Sequence, residues 1–440
     1  MGRRESMCAK HFPRVLMICS HSLNYKSGTG IVYSNLFRGW PLDSLAQIHV
    51  DLPGPDADIC KISRQMSVDN VPLDRTFRKM LGQKCVAALG RPEPPSSSPD
   101  LEASENGIAS WRLRLRMILS AWTDCVPYRL DPDFLNWLKE FSPQVIVSNL
   151  GSIRQIGLVQ QISAITNAQI VPFMNDDWPL TTYQGDLWMA PPRWLLLHRL
   201  RKLMRDVSVG GAVSIDMANE YRERYGVRFE PFLYCVDAPL LPPPPPGGDV
   251  VHFCYVGNLH LDRWRSLLEI GECLQELLST GLRAKLLVYA PAEHLRKYGR
   301  KLSGISAIEL MGTLGAGEVP EALRRSHVLV HVESFHRRMR RYTRLSFSTK
   351  LPQYLAAGRL VLAYGPEELA SCRYVRETGS GLLVGQQNRQ LLRDTLLKIL
   401  SCPDNRMEMG ESAWRTARLS HEPVAMRERF RMLLANVERK

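Results

Sequence analysis

The sequence predicts an α/β protein of two domains, each built around a doubly wound parallel β-sheet. Three observations support this fold class. The 440 residues exceed the usual size of one compact core. Short apolar runs typical of buried strands alternate with longer helical patterns, both before and after residue 240. Between the two sets lies a spacer that is first stiff and then flexible, Pro242 to Pro246 followed by Gly247 and Gly248.

The N-terminal domain is assigned to residues 1–240. Its first strand is predicted at 14–20, and the glycine turn after it opens a helical pattern that continues to Trp40. Because residues 91–107 are rich in proline, serine and polar side chains, we predict a disordered loop over 88–108. The further predicted elements are strands at 48–50, 145–147, 168–173 and 212–215 and helices at 153–165, 193–205 and 217–225.

The C-terminal domain is assigned to residues 249–418, after a linker at 241–248. Strand, helix and strand succeed one another here too, which indicates right-handed parallel units. The predicted strands are 252–256, 285–289, 307–311, 328–332 and 360–363, and the predicted helices are 265–280, 292–301, 318–325 and 350–357, with a helical region at 391–437. We expect residues 419–440 to form a helix that packs back on the N-terminal domain.

The composition narrows the classes of protein. Hydrophobic residues make up 45% and charged residues 23%, which is typical of globular domains. There is no apolar run of about 18 residues and no signal-peptide pattern, so we expect a cytoplasmic location, with the inner membrane surface as the peripheral alternative. The ten cysteines form no CxxC pair and have no neighbouring histidine cluster, so neither a metal site nor a disulfide framework is predicted.

The net charge of +13 favours anionic partners: nucleotide diphosphates, anionic membrane surfaces or nucleic acid. No segment has the pattern of an RRM, a KH domain or a zinc finger, so nucleic acid is not the expected partner.

Three stretches of the chain resemble the GT-B glycosyltransferases, and most closely glycosyltransferase family 4 (the group 1 family). Residues 348–366, STKLPQYLAAGRLVLAYGP, are similar to the family's donor-diphosphate helix and the strand after it. Residues 213–226 with 232–239 resemble the last N-domain strand and helix and the interdomain linker, and residues 173–179 resemble the acceptor-side loop. The resemblance implies two Rossmann-like domains facing a central cleft, with the nucleotide sugar on the C-terminal domain and the acceptor on the N-terminal domain.

The resemblance also implies an activity. It is transfer of a sugar from a UDP- or GDP-linked donor to a saccharide, lipid-linked or other glycoconjugate acceptor, in polysaccharide or glycoconjugate biosynthesis. The resemblance implies a hexosyltransferase with no metal and no cofactor beyond the nucleotide-sugar substrate. It favours retention of configuration, and an inverting route, which requires a true base, is the alternative. A catalytically inactive nucleotide-binding partner protein is the alternative.

A donor-binding cluster is predicted around the start of the helix at 350–357. A diphosphate leaving group gains negative charge as the anomeric bond breaks, so its site needs fixed cations and N–H groups. Ser348, Thr349 and Lys350 stand where a loop enters this helix, so their hydroxyls, an ammonium and free backbone N–H groups could converge on one phosphate. An ordinary Ser/Thr N-cap beside an exposed lysine is the alternative.

Further donor-site residues follow strands of the C-terminal domain. Gly257 ends the first strand, and Arg263 falls where the family places a phosphate-binding lysine. Asn258 occupies the position of a family arginine, so one expected cation is missing. Gly312, after the strand at 307–311, completes the predicted set. Without that cation, the charge of the leaving group would be neutralised by Arg263, by Lys350 or by the basic loop at 336–344.

The family's E-x7-E motif is absent, because its two positions hold Leu345 and Gln353. Glu333 follows the predicted strand at 328–332, where its carboxylate could accept a donor-sugar hydroxyl and partly replace the missing pair. A plain loop glutamate is the alternative. We count Glu333 among the candidate catalytic residues.

Asp176 and Asp177 are the other candidate catalytic residues. They follow a predicted parallel strand, at the edge where α/β sheets gather ligands, so either could bind acceptor hydroxyls or take the acceptor proton. The family commonly has histidine where Asn175 stands, and an Asn-Asp-Asp turn is the alternative. Gly28 and Gly30 would let the backbone approach the donor phosphate or the acceptor, with a simple turn as the alternative.

The basic helix predicted at 193–205 bears on possible partners. It combines apolar residues with Arg199, Arg201, Lys202 and Arg205 and could lie on an anionic membrane that carries a lipid-linked acceptor. A core helix with a solvated face is the alternative.

Overall fold

Two parallel β-sheets form the centre of the protein. The computed structural model describes residues 11–25, 28–50, 53–66, 70–71, 107–315 and 317–437. The strands are β1 (Val15–Ile18), β2 (Leu45–His49), β3 (Ile62–Gln65), β4 (Val145–Ser148), β5 (Gln169–Met174), β6 (Val209–Ala212), β7 (Arg228–Pro231), β8 (Val251–Val256), β9 (Ala284–Tyr289), β10 (Ile308–Gly312), β11 (Val328–Val332), β12 (Leu360–Tyr364) and β13 (Gly381–Val384). Within these ranges a seven-stranded sheet has the order β3-β2-β1-β4-β5-β6-β7, and a six-stranded sheet has the order β10-β9-β8-β11-β12-β13.

In each sheet the direction of strand addition reverses beside the first strand. β1 lies between β2 and β4, and β8 lies between β9 and β11, with every paired strand parallel. In open α/β sheets such a reversal leaves a crevice at the carboxyl ends of the two strands, because the following helices lie on opposite faces. The predicted fold class, two doubly wound parallel-sheet domains, is confirmed.

Helices cover both sheets. The strands β1 and β11 are buried along their whole length, which explains why they appear in the sequence as apolar runs, interrupted in β11 only by His331. The helices are α1 (Gly28–Phe37), α2 (Gly107–Asp124), α3 (Pro132–Phe141), α4 (Ile153–Thr166), α5 (Trp178–Thr181), α6 (Ala190–Arg205), α7 (Ile215–Tyr225), α8 (Arg263–Leu278), α9 (Ala292–Leu302), α10 (Val319–Arg324), α11 (Arg337–Thr343), α12 (Leu351–Ala356), α13 (Ala370–Glu377), α14 (Arg389–Ser401), α15 (Pro403–Ser420) and α16 (Pro423–Ala435). In the described ranges, no helix has both the length and the hydropathy that crossing a bilayer requires.

The end of the chain returns from the second sheet to the first. Helix α15 packs against α12 and β12, and α16 then packs against α1. Phe430 of α16 is fully buried, with its ring centroid 5.3 Å from those of Phe37 and Phe232. Arg427 Nε donates to the carbonyl oxygen of Asn35 over 2.8 Å. One cluster of buried apolar side chains includes residues from both halves, so the two sheets share a continuous core on this side.

Some elements carry no strong apolar signal and differ from the sequence predictions. β3 is an edge strand with three exposed residues, Ser63 to Gln65, so no buried run marks it. The basic stretch at 336–344 contains helix α11, which buries only Met339 and Thr343. The predicted disordered loop at 88–108 lies outside the described residues as far as 106, and residues 107 and 108 begin α2.

Candidate functional site

The candidate donor site lies where strands β8 and β11 end side by side. Gly257 follows β8 and Glu333 follows β11, so both stand at the reversal point of the second sheet. The backbone of Glu333 is fixed from two sides. Its N–H donates to the carbonyl of Tyr364 over 3.0 Å, and its carbonyl accepts from Ser266 Oγ over 2.9 Å. The carboxylate therefore has a defined position in the crevice.

Arg263 and Glu333 form a buried ion pair in this crevice. Arg263 is the first residue of α8, and its Nη2 donates to Glu333 Oε1 over 2.7 Å. Burial by itself would lower the pKa of Arg263, but the Glu333 carboxylate more than offsets this, so its pKa is raised and it stays a cation. Glu333 is only 4% exposed, yet its Oε2 and the Nε of Arg263 have no partner among the described residues. Since an unmet buried polar atom is costly, both atoms are available to a ligand.

The side chain of Lys350 extends into the same crevice. A Cβ atom placed on Gly257 would lie 2.1 Å from Lys350 Nζ and 2.9 Å from the hydroxyl of Tyr255. An alanine at 257 would therefore force the end of the Lys350 side chain to shift. Burial, and secondarily the charge of Arg263, lower the pKa of Lys350 to about 7, whereas Glu333 opposes this shift. Two basic side chains thus lie near one carboxylate, which is paired with Arg263, and this arrangement favours an additional anion.

The helix that Lys350 precedes contributes less than the ammonium itself. Lys350 is the N-cap residue of α12, and no side chain caps this helix, so the N-cap alternative for Ser348 and Thr349 does not occur. α12 has six residues and carries Pro352 in its first turn, which removes one backbone donor. Ser348 accepts through its carbonyl from the N–H of Leu351 over 3.2 Å. The positive charge at this end therefore comes chiefly from the lysine side chain.

Asn258 and Gly312 organise the loops at the same edge of the sheet. The carbonyl of Asn258 accepts from the Tyr255 hydroxyl over 2.5 Å. Gly312 has a φ of +91°, which favours glycine, and its carbonyl accepts from the N–H of Ala290 over 3.0 Å. Thr313 Oγ1 then donates to the Ala290 carbonyl over 3.0 Å. The backbone carbonyl of Gly312 thus links the loop after β10 to the loop after β9.

Two histidines beside the ion pair were not predicted from the sequence. His260 lies in the turn before α8, where Leu261 and Asp262 both have a φ of +58°, an uncommon backbone conformation for non-glycine residues. Its Nδ1 has no partner among the described residues. Burial, and then the charge of Arg263, lower the pKa of His260 to about 3. The ring of His294 lies 5.3 Å from it between centroids. Single histidines without a spacing pattern gave no signal in the sequence.

A third histidine, His331, also escaped prediction because it lies inside an apolar strand. Its Nε2 is 2.9 Å from Ser371 Oγ and 4.0 Å from Glu333 Oε1. Burial lowers its pKa to about 4, so at neutral pH it adds no charge to the crevice. The cationic character of the site therefore comes from Arg263 and Lys350.

The two candidate aspartates of the N-terminal half are both engaged. Asp177 is buried and accepts a bidentate pair from Arg224, over 2.6 and 2.8 Å, with a third bond from the Tyr221 hydroxyl over 3.2 Å. Asp176 Oδ1 accepts from Ser346 Oγ over 2.8 Å, across the boundary between the two halves. Asp177 is therefore placed as a structural ion-pair partner, with Arg344 of the C-terminal half also 3.9 Å away, and Asp176 forms a hydrogen bond with that half.

Of the two polar groups of the Asn175 side-chain amide, one has a hydrogen-bond partner among the described residues. Its Nδ2 donates to the hydroxyl of Tyr33 over 3.0 Å, while its Oδ1 is buried without a partner among the described residues. Gly28 and Gly30 lie in the first turn of α1, the helix that also carries Tyr33. They are thus part of a helix start beside the candidate acceptor loop.

A cavity of about 220 Å³ lies between the two halves. It is bounded by α1, the segment 232–237, the start of α16, Thr349 and Gln353. Gln353, at the second position of the missing glutamate pair, thus faces this space. Leu345, at the first position, is buried in the contact between the halves, where its carbonyl accepts from Ser214 Oγ over 3.0 Å. The glutamate positions are therefore structurally distinct, and only one faces the cleft.

Ion pairs hold the segment around Leu345 against the N-terminal half. Arg344 Nη2 lies 2.9 Å from Glu220 Oε2, and Arg373 Nη1 lies 2.9 Å from Asp216 Oδ1.

Among the described side chains, no group of three or more His, Cys, Asp or Glu residues is arranged to hold a metal ion.

The fold is shared with solved glycosyltransferases. No protein-family model matches this sequence, and no curated protein matches it. Anabaena HepE in complex with UDP is similar over 96% of this chain and 100% of that chain, with a TM-score of 0.60 and 10% identity. Sucrose-phosphate synthase from Thermosynechococcus elongatus is similar over 96% and 98%, with a TM-score of 0.58 and 14% identity.

A third similar structure is WaaG, a glycosyltransferase involved in lipopolysaccharide biosynthesis, with a TM-score of 0.56, 12% identity and coverage of 96% of this chain and 100% of that chain. HepE has also been solved with UDP-glucose and with UDP and glucose together. These similarities extend over nearly the whole chain at identities that establish architecture alone. The protein has the two-domain GT-B fold.

Proposed function

We propose that this protein is a glycosyltransferase that takes its sugar from a nucleotide-diphosphate donor, UDP- or GDP-linked. The observation that carries the proposal is the crevice at the ends of β8 and β11, where the Arg263–Glu333 ion pair and the buried side chain of Lys350 lie together. A diphosphate would supply the missing negative charge. HepE, a structure similar in fold, binds UDP and UDP-glucose, which supports a nucleotide sugar as the ligand class.

The residues of the crevice suggest a division of roles. Lys350 and Arg263 would neutralise the diphosphate as the anomeric bond breaks, which makes a metal ion unnecessary. Gly257 leaves the space that the ammonium and a phosphate oxygen require. The unpartnered Oε2 of Glu333 would accept a hydroxyl of the donor sugar and orient it. Ser348 and Thr349 stay in the proposed donor site as the entrance to α12.

The acceptor would bind on the opposite side of the cleft. Asp177 is committed to Arg224, so Asp176 is the better candidate for binding an acceptor hydroxyl, and it would have to exchange its bond with Ser346 to do so. This shortage of a free base agrees with a retaining route, in which the leaving diphosphate takes over the acceptor proton. Gly28 and Gly30 would let α1 approach the acceptor closely. The proposed acceptors are saccharides or lipid-linked glycans of polysaccharide and glycoconjugate assembly, at a cytoplasmic or peripheral membrane location.

A second candidate function is a catalytically inactive nucleotide-binding partner protein. The observation that favours it is that both candidate aspartates are engaged, while the positions of the glutamate pair hold leucine and glutamine. Such a protein would bind the nucleotide sugar through Lys350 and Arg263 without turning it over.

A donor screen tests both candidates. Release of free nucleotide from UDP-glucose, UDP-N-acetylglucosamine, GDP-mannose and other nucleotide sugars would be measured with and without an acceptor panel, and affinity would be measured by calorimetry. We expect binding of one donor class and slow hydrolysis that the right acceptor accelerates. Binding without release would establish the inactive alternative, and absence of binding to every nucleotide would refute both.

A further inference from the structure

An exposed aromatic and aliphatic surface covers one side of the N-terminal half. We name it the tryptophan face. Leu187 is 89% exposed, and Trp188 and Trp194 are 66% and 65% exposed. The tryptophan face consists of Trp111, Leu115, Met117, Trp122, Leu187, Trp188 and Trp194. Large apolar side chains gathered in this way mark an interaction site, because isolated ones are ordinary on a protein surface but clusters are not.

The tryptophan face is one surface, because α2, the turn at Leu187–Met189 and α6 contact one another. The indole N–H of Trp122 in α2 donates to the carbonyl of Trp188 over 3.0 Å. Arg114 of α2 forms an ion pair with Asp186, just before the turn at Leu187–Met189. α2 and that turn both pack against α6. The exposed tryptophans are therefore held in fixed relative positions.

Helix α6 shows how the surface is divided. Its apolar stripe faces inward and its outer stripe combines aromatic and basic groups. The buried residues are Pro192, Leu196, Leu200, Leu203 and Met204, and the exposed residues include Trp194, His198, Arg201, Lys202 and Arg205. The rings of Trp194 and His198 stack with centroids 5.1 Å apart. A helix with this arrangement presents aromatic rings and cations to the same partner.

The charge around the tryptophan face is positive. Residues 107–124 and 186–205 contain eight arginines and lysines but only two aspartates. Asp186 is neutralised by Arg114, and Asp124 is buried, where it accepts from the N–H of Ile153 over 2.7 Å. Asp186 therefore offsets only Arg114, and the seven other basic residues of these two segments leave the surface positive.

The positive surface continues to the mouth of the cleft. Helix α11 of the C-terminal half, with Arg340 and Arg341, packs against α5, directly after Asp177. Burial, and then the charge of Arg341, lower the pKa of Arg193 at the start of α6, so the two basic segments are close enough to interact. A partner that lies on the tryptophan face would thus also reach the proposed acceptor loop.

We infer that the tryptophan face docks on an anionic lipid bilayer and that the acceptor is anchored in that bilayer; the second part rests on the proposed function. Indole rings partition to the headgroup level of a bilayer, and arginines and lysines are attracted to anionic lipids. A second copy of the chain is disfavoured because it would bring two positive surfaces together. An acidic protein would match the charge but gives no reason for so many exposed indoles.

Co-sedimentation with lipid vesicles tests the inference. Vesicles of phosphatidylcholine alone would be compared with vesicles in which roughly one third of the lipid is phosphatidylglycerol. We expect binding to the anionic vesicles that weakens with salt, because each basic residue near the surface contributes about fivefold. The double variant Trp188→Ser/Trp194→Ser and the double variant Arg201→Glu/Lys202→Glu should each lower binding at least about tenfold.

The control is Leu419→Ser, because Leu419 is also highly exposed but lies at the end of α15, outside the tryptophan face. It should bind vesicles like the wild type. Nucleotide affinity should be unchanged in all variants, so failure of the donor screen and failure of vesicle binding are separate results. No binding to anionic vesicles, equal binding by the tryptophan variant, or loss of self-association in that variant without any vesicle binding would each overturn the inference.

Discussion

Replacement of Lys350 by methionine should stabilise the protein and abolish donor binding at the same time. The ammonium is enclosed beside Arg263, and its pKa is lowered from 10.5 to about 7, chiefly by burial. Methionine has a similar length and carries no charge, so it removes the cost of burying the cation while it keeps the packing against Tyr255. A residue that is retained despite a cost to stability is expected where function requires it.

The magnitude follows from proton linkage. The unfolded chain binds a proton at residue 350 up to pH of about 10.5, but the folded chain loses it above about pH 7. Stability therefore rises with pH across this interval, and the penalty is fully present below pH 7. The two pKa values set an upper limit of about 4 kcal/mol at neutral pH. We expect Lys350→Met to gain about 1 to 3 kcal/mol there and little at about pH 10.

Thermal unfolding at about pH 7 and about pH 10 measures the gain, and calorimetry with UDP-glucose measures binding. Loss of the cation should lower affinity at least about thirtyfold. In the wild type, affinity should fall up to about tenfold per pH unit above 7, as the free enzyme loses the proton, whereas the variant should show no such slope. Lys139→Met, at an exposed position in α3, is the control and should change neither quantity.

A Lys350→Met variant that is less stable than the wild type at neutral pH, or one that still binds the donor with wild-type affinity, would contradict these roles of Lys350.

The remaining predictions concern four other positions. Gly257→Ala should lower donor affinity at least about tenfold, since the new Cβ would displace the lysine ammonium, and the same change in a Lys350→Ala background should cost little; calorimetry and melting of the two variants check this. Glu333→Gln should weaken UDP-glucose by about ten- to a hundredfold more than UDP, because only the sugar loses a charged hydrogen-bond acceptor; equal losses for both ligands would count against this role. Asp177→Asn should lower the free energy of unfolding by about 3 kcal/mol by leaving Arg224 without its bidentate partner, whereas Ser346→Ala should cost less than about 1 kcal/mol; urea unfolding of both variants decides, and a silent Asp177→Asn would show that the ion pair is not structural.

Several residues of the candidate donor crevice can be grouped from the sequence because strand ends are predictable. Gly257 and Glu333 each follow a continuous apolar run, and parallel strands bring their carboxyl ends to one edge. The two residues were therefore assigned to one site, although their strands are far apart in the chain. The aspartates were placed by the same rule, at the end of β5. What the rule could not supply was the partner of each side chain.

The acceptor side shows this limit. Asp177 was a candidate base in the sequence, and in the structure it holds Arg224, which is 47 residues further along the chain. The sequence around Asp177 does not indicate that Arg224 is its partner. His331 was hidden inside a strand, and His260 had no neighbouring ligand pattern. The tryptophan face is a further case, because α2 and α6 are separate in sequence and meet only in the folded protein.

The sequence by itself determined the alternation of strands and helices, the Pro-Gly spacer and the residue types at the strand ends, because each of these depends on neighbours a few positions away. The tertiary structure decided which groups interact: Lys350 with the charges of Arg263 and Glu333, and Asp176 with the hydroxyl of Ser346. Desolvation and Coulomb interactions act through space over a few ångströms, so a pKa near 7 for a lysine exists only once the crevice has formed around it.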